Sequence, residues 1–135
     1  MTLFVCLDDQ DGMSFGGRRQ SRDSAVIKDI FATANGASLT VAPYSKLLLS
    51  QYGSLTVTET PMKDAESDGF VFIEVESPRE YTKRIDRLII YRWGEIYPAD
   101  IRLDILPSKL GLSLLTRRYL VGTSHKKITK EVYTK

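Results

Sequence analysis

The chain has 135 residues, 42% apolar and 27% charged, with a net charge of +2, which fits one globular domain that needs no metal or disulfide staple. A single cysteine and a single histidine exclude an intrachain disulfide, fit a reducing, cytoplasmic setting, and leave too few ligands for a zinc centre or a Cys–His catalytic pair. No apolar run reaches the ~20 residues of a membrane span, and the opening residues lack a basic leader, so no membrane partner is expected.

Leu3 to Leu7 is a continuous apolar run and predicts a strand buried on both faces. It stops at Asp8-Asp9 and a turn at Asp11-Gly12. The polar stretch Ser14 to Arg22, with Gly16-Gly17, predicts a loop. A helix is expected from Asp23 or Ser24 to Ala34, capped by Asp23 and striped by Ala25, Val26, Ile27, Ile30, Phe31 and Ala34. Asn35-Gly36 ends it.

Ser38–Ala42 reads as a second strand, and Pro43 opens a short helix, Tyr44–Gln51, with Leu47, Leu48 and Leu49 inward. Leu55 and Val57 mark a third strand, and Pro61–Gly69 holds one helical turn. Phe70–Val75 is a fourth strand, Pro78–Lys83 a helical turn, and Leu88–Tyr91 a fifth, central strand. Ile101–Ile105 alternates as a sixth, Leu112–Val121 is a seventh, and Ile128–Tyr133 is taken as a strand. Strands alternating with helices, then strands in succession, predict a single three-layer α/β domain. Its central sheet is mainly parallel with an antiparallel edge.

Charge is unevenly placed. Residues 108–135 carry seven Lys/Arg against one acid, a local +6 that leaves −4 for the rest. A second basic knot is Arg18-Arg19-Gln20-Ser21-Arg22. Planar guanidinium groups suit phosphate or carboxylate. The excess is too small for a groove that tracks long nucleic acid.

The run Phe4 to Met13 resembles the opening strand and flexible-loop start of dihydrofolate reductases, and Asp23 falls where that family places an acid at its first long helix. Leu88 to Tyr97 resembles the family's glycine-ended strand, Ile101–Ile105 its next strand, and Ser124 to Tyr133 its last. The resemblance implies a dihydrofolate reductase-like fold. The family's Leu-Pro-Trp is here Arg18, Arg19 and Gln20, and its Gly-Arg-[Lys/His]-Thr turn is Ala42-Pro43-Tyr44-Ser45. Its glycine pair is Arg92-Trp93. Side chains at those glycines imply that no dinucleotide cofactor is carried.

Val5-Cys6-Leu7-Asp8-Asp9, the Arg-Arg-Gln-Ser-Arg-Asp segment, Tyr91-Arg92-Trp93 and the Ser124-His125 tail also resemble a small family from Firmicutes and their phages. Its members often carry the label ribonuclease Z, but that nuclease needs a multi-histidine zinc motif that this chain lacks.

Arg18, Arg19 and Arg22, between a strand end and a helix N-terminus, are candidate anion ligands. Asp23 is a candidate for a donor edge of a ring, and Ile27 lies on the same helix. Tyr91, Arg92, Trp93 and Tyr97 flank the broken fifth strand, where Trp93 and Tyr97 can stack on a ring or build a homo-oligomer interface. Asp8 and Asp9 are the only weak metal candidates; otherwise no metal or cofactor is expected. His125 is expected at the surface, and Cys6 as a small buried apolar group. The leading expectation is non-enzymatic binding of an anionic, ring-containing small molecule of the nucleotide kind, in one setting a phage protein sequestering a nucleotide immune signal. The alternatives are a degenerate reductase, a metal-dependent phosphodiesterase, and a protein-interaction or inhibitor module.

Overall fold

The computed structural model describes residues 1–135. The chain runs β1 (Thr2–Leu7), β2 (Gly12–Phe15), β3 (Arg18–Arg19), α1 (Ser24–Ala34), β4 (Leu39–Val41), α2 (Pro43–Leu49), β5 (Leu55–Val57) and α3 (Pro61–Asp64). It continues with β6 (Phe70–Ile73), a 3-10 segment Arg79–Arg84, β7 (Arg87–Arg92), β8 (Ile101–Arg102), a second 3-10 segment Pro107–Leu110, β9 (Ser113–Leu120) and β10 (Ile128–Thr134).

Seven strands form one sheet in the order β5-β4-β6-β1-β7-β10-β9. β1 lies inside it, parallel to β6 on one side and β7 on the other. A strand paired on both edges and covered on both faces has no polar side, so Leu3 to Leu7 do not alternate. β10 runs antiparallel to β7, and β9 antiparallel to β10.

The pleat of β1 divides the core. Leu3, Val5 and Leu7 face a layer built from Met62 of α3 and from Ile85, Leu110 and Leu112 around the 3-10 segments. Phe4 faces the other layer, with Val26, Ile27 and Ile30 of α1 and Leu49 of α2. Asp23 caps α1 by accepting from the Ala25 and Val26 amides, and Asn35 closes it in a left-handed conformation, φ 51°. No helix is long and apolar enough to cross a membrane.

Several expectations are corrected. Residues 14–22 are not simply a loop: β2 and β3 form a hairpin that joins β8 in a second, three-stranded sheet. Of Ile101–Ile105 only Ile101 and Arg102 are in a strand. That strand pairs with β2, and the alternation reflects the packing of Ile101, Leu103 and Ile105 against the core layer of Leu3, Val5 and Leu7. In α2, Leu49 is buried and Leu48 half-buried, but Leu47 is 88% exposed. Three consecutive leucines span about 200° of a helix, so a single inward stripe cannot hold all of them.

Candidate functional site

At the carboxyl ends of β1 and β6 the sheet opens into a cleft. Cys6, Phe72, Ile73 and Glu74 form its floor, Val26, Ile27 and Ile30 of α1 one wall, and Trp93 and Met13 another, with Arg19, Gln20, Ser21, Arg22 and Asp23 at its mouth. Ligands of open α/β sheets bind at such strand ends. The deep, apolar arm has a volume of about 20 Å³, room for roughly one water. Two wide hollows adjoin it through Arg22. One, about 400 Å³, lies between α1 and α2 and includes Ile27, Leu48 and Tyr52. The other, about 450 Å³, is bordered by Arg18, Arg19, Ser21 and Tyr44.

Arg18, Arg19 and Arg22 differ. Arg19 is neutralised: its Nε and Nη2 donate to the two carboxylate oxygens of Glu74 at 2.7 and 3.0 Å, and its guanidinium lies 4.6 Å from the centre of the Tyr44 ring. Glu74 also accepts from Ser45 Oγ at 2.7 Å, and the Arg19 amide donates to Tyr44 Oη at 3.0 Å. These contacts fasten β3 across the end of β6. The bond to Glu74 raises the Arg19 pKa above its ordinary value. Arg18 and Arg22 are exposed and make no ion pair. The missed partner, Glu74, had a signal: it ends the apolar run Phe70–Ile73 as Asp8 ends β1.

Asp23 serves the scaffold. Its Oδ1 accepts from the Ala25 and Val26 amides at 2.9 and 3.2 Å, and its Oδ2 from the Ser124 amide and hydroxyl at 2.7 and 2.9 Å. Burial alone pushes its pKa up, but the bonds from Ser124 and the helix amides outweigh it and hold the carboxyl below its ordinary value. With four donors it has no lone pair left for a ring.

Asp8 is built the same way. Fully buried, it accepts from the Gln10 and Gly12 amides at 2.8 and 2.7 Å, from Gln20 Nε2 at 2.9 Å and from the Tyr97 amide at 3.2 Å. Burial raises its pKa, and these bonds, from Gly12 first, bring it below the ordinary value. Asp8 thus organises three loops, while Asp9 is exposed, and no cluster of three or more His, Cys, Asp or Glu is placed to hold a metal. Gln20, oriented by Asp8, leaves its Oε1 buried and without a partner.

Of the fifth-strand candidates only Trp93 lines the cleft. Tyr91 is buried under α1 and donates to Asp29 at 2.6 Å; burial first, and then Asp29, push its phenol strongly up. Arg92 turns to Asp11 at 2.9 Å and Glu131 at 3.0 Å rather than to Glu95. Tyr97 faces His125, 2.6 Å from Nε2, and burial together with the Glu95 carboxylate pushes its pKa up to about 12. His125 is half-buried rather than a free surface residue: its ring stacks on Trp93, centroids 5.0 Å apart, and its Nδ1 lies 2.7 Å from Ser124 Oγ. The Ser124 hydroxyl proton goes to the Asp23 carboxylate. His125 Nδ1 therefore donates to Ser124 Oγ. Cys6 is only partly exposed, and burial, then Glu74 and Asp23, push its thiol well up.

No protein-family model matches this chain, and no curated protein matches it in sequence. Among solved structures it is similar to the dihydrofolate reductase from Enterococcus faecalis complexed with NADP(H) and RAB-propyl. The identity is 11%, the match covers 98% of this chain and 94% of that one, and the TM-score is 0.67. An agreement over nearly the whole of both chains at so low an identity is an agreement of architecture: the chain has a dihydrofolate reductase-like fold.

Proposed function

We propose that the cleft binds an anionic, ring-containing small molecule of the nucleotide class, without chemistry. The observation that carries this reading is the position of Arg22: exposed, without an ion-pair partner, and shared by three adjoining hollows, one of them apolar and ended by Trp93. The anion sits at Arg22, with Arg18 at the rim. The ring enters the apolar arm toward Trp93, and Gln20 Oε1 receives a ring N–H.

The arm is too narrow for a ring while β3 is fastened to Glu74, so binding lifts the β2–β3 hairpin and the ligand's anion competes with Glu74 for Arg19. The groups that could move protons are otherwise engaged: Asp8 and Asp23 each accept four hydrogen bonds and the Cys6 thiol is pushed up, which favours binding over catalysis. At the end of β6 the Glu74 and Val75 amides donate to the chain's own Glu76 carboxylate at 2.9 and 3.0 Å, so they are not free to hold a ligand's anion. A shared architecture also supports the reading, since the similar reductase was solved with NADP(H).

Calorimetry with mono-, di- and cyclic nucleotides tests it. The expected result is one saturable site for at least one of them, weakened tenfold or more by Arg22→Ala. No heat from any of them at millimolar concentration contradicts it. Steady consumption of NADPH, or metal-dependent nucleotide cleavage, replaces it with an enzyme.

A further inference from the structure

β9 forms the outer edge of the seven-stranded sheet. The sheet's other edge, β5, has three residues, the short form that discourages pairing. β9 has eight, Ser113–Leu120, and every one is exposed or half-exposed. Its backbone bonds only to β10, and no other segment covers the outward N–H and C=O groups. Leu115 and Tyr119, each 63% exposed, and Val121, 81% exposed, stand on or beside it.

Charge selects the occupant. Arg117 pairs with Glu131 at 3.3 Å. Arg118 lies opposite Lys130 in the ladder, Lys130 is taken by Asp29 at 2.7 Å, and Arg118 has no carboxylate of its own. Lys127 lies 4.1 Å from the centre of the Tyr119 ring and, like Lys126, makes no ion pair. Two copies of β9 paired antiparallel over their full length would set Arg117 of each copy diagonal to Arg118 of the other across the twofold axis, and like charges so placed oppose that pairing. The geometry points to an extended, acidic segment of a partner protein, added antiparallel to β9 as an eighth strand, with acidic side chains on the Arg118 face and apolar ones on the Tyr119 face.

Fluorescence anisotropy with a labelled peptide of alternating Glu and Val, matching β9 in length, tests this. The expected result is saturable binding, weakened at least tenfold by Arg118→Glu and restored by Arg118→Lys, with amide shifts in NMR spectra centred on residues 113–121. Methylating alternate backbone nitrogens of the peptide weakens binding at least tenfold, because the ladder bonds are lost. Arg118 is exposed and unpaired, so the variants keep the parent melting temperature. Absence of binding at millimolar peptide overturns the proposal, as does equal binding of the methylated peptide, which leaves charge attraction alone. A dimer dissolved by Arg118→Glu assigns the edge to a second copy, and a single-stranded oligonucleotide that displaces the peptide assigns it to nucleic acid; either result overturns it too.

Discussion

Two pairs of adjacent arginines, Arg18-Arg19 and Arg117-Arg118, are treated alike chemically and differently by shape. In each pair one guanidinium is neutralised, Arg19 by Glu74 and Arg117 by Glu131, and the other has no ion-pair partner. Around Arg18, with Arg22 beside it, the surface is concave and opens toward an apolar arm. Around Arg118 it is the open edge of a strand with free backbone groups. On the two readings proposed above, the same charge would serve two kinds of ligand: a small ring-bearing anion in the hollow, and another strand along the edge. Net charge of +2 says nothing of this; local pairing and curvature decide it.

The harshest way to break the comparison is to remove the scaffold of the cleft and leave β9 alone. Asp8→Ala leaves three amides and the Gln20 amide nitrogen without their acceptor. It should cost about 3 kcal/mol or more in urea unfolding and abolish nucleotide binding. Glu74→Gln releases Arg19 and removes the fastening of β3. The expected loss of stability is about 2 kcal/mol, with nucleotide affinity raised several-fold by calorimetry, a combination that a purely structural ion pair would not give.

Acid acts on the cleft through Asp8 and Asp23. Both are held below their ordinary pKa when folded, so their contribution is complete above the unfolded value of about 3.9 and is lost as pH falls through the folded values. Urea midpoints should be flat from about pH 7 to 5 in this respect and fall below about pH 4. The fall should be shallower in Asp23→Asn. A smaller effect is kinetic. Cys6 lines the closed arm with its pKa pushed up, so alkylation should be slow, faster in Glu74→Gln, and slowed again by bound nucleotide.

Much of the fold was legible because it rests on local signals. The unbroken Leu3–Leu7 run, the Asp23 cap and the spacing of Val26, Ile27 and Ile30 each have one physical solution. The β2–β3 hairpin was not legible, because its strands are short and polar and are held by the distant β8 and Glu74. In the candidate site, the chain alone brought forward Arg19, Arg22, Asp23, Ile27 and Trp93, which the structure gathers at one cleft. It could not separate a paired arginine from an unpaired one, since Glu74 lies 55 residues from Arg19. Nor could it tell that Tyr91, Arg92 and Tyr97 leave the cleft for Asp29, Glu131 and His125.

Trp93 is the chain's only tryptophan and forms part of the cleft wall, so its fluorescence is a direct probe of occupancy of the site. On titration with the tightest nucleotide found by calorimetry, its emission should quench in a single saturable step. In Arg22→Ala the midpoint should move at least tenfold higher, while in Arg118→Glu it stays where it was. Emission that is unchanged at saturation, or a midpoint indifferent to Arg22, would place the ligand elsewhere and contradict the cleft as its site.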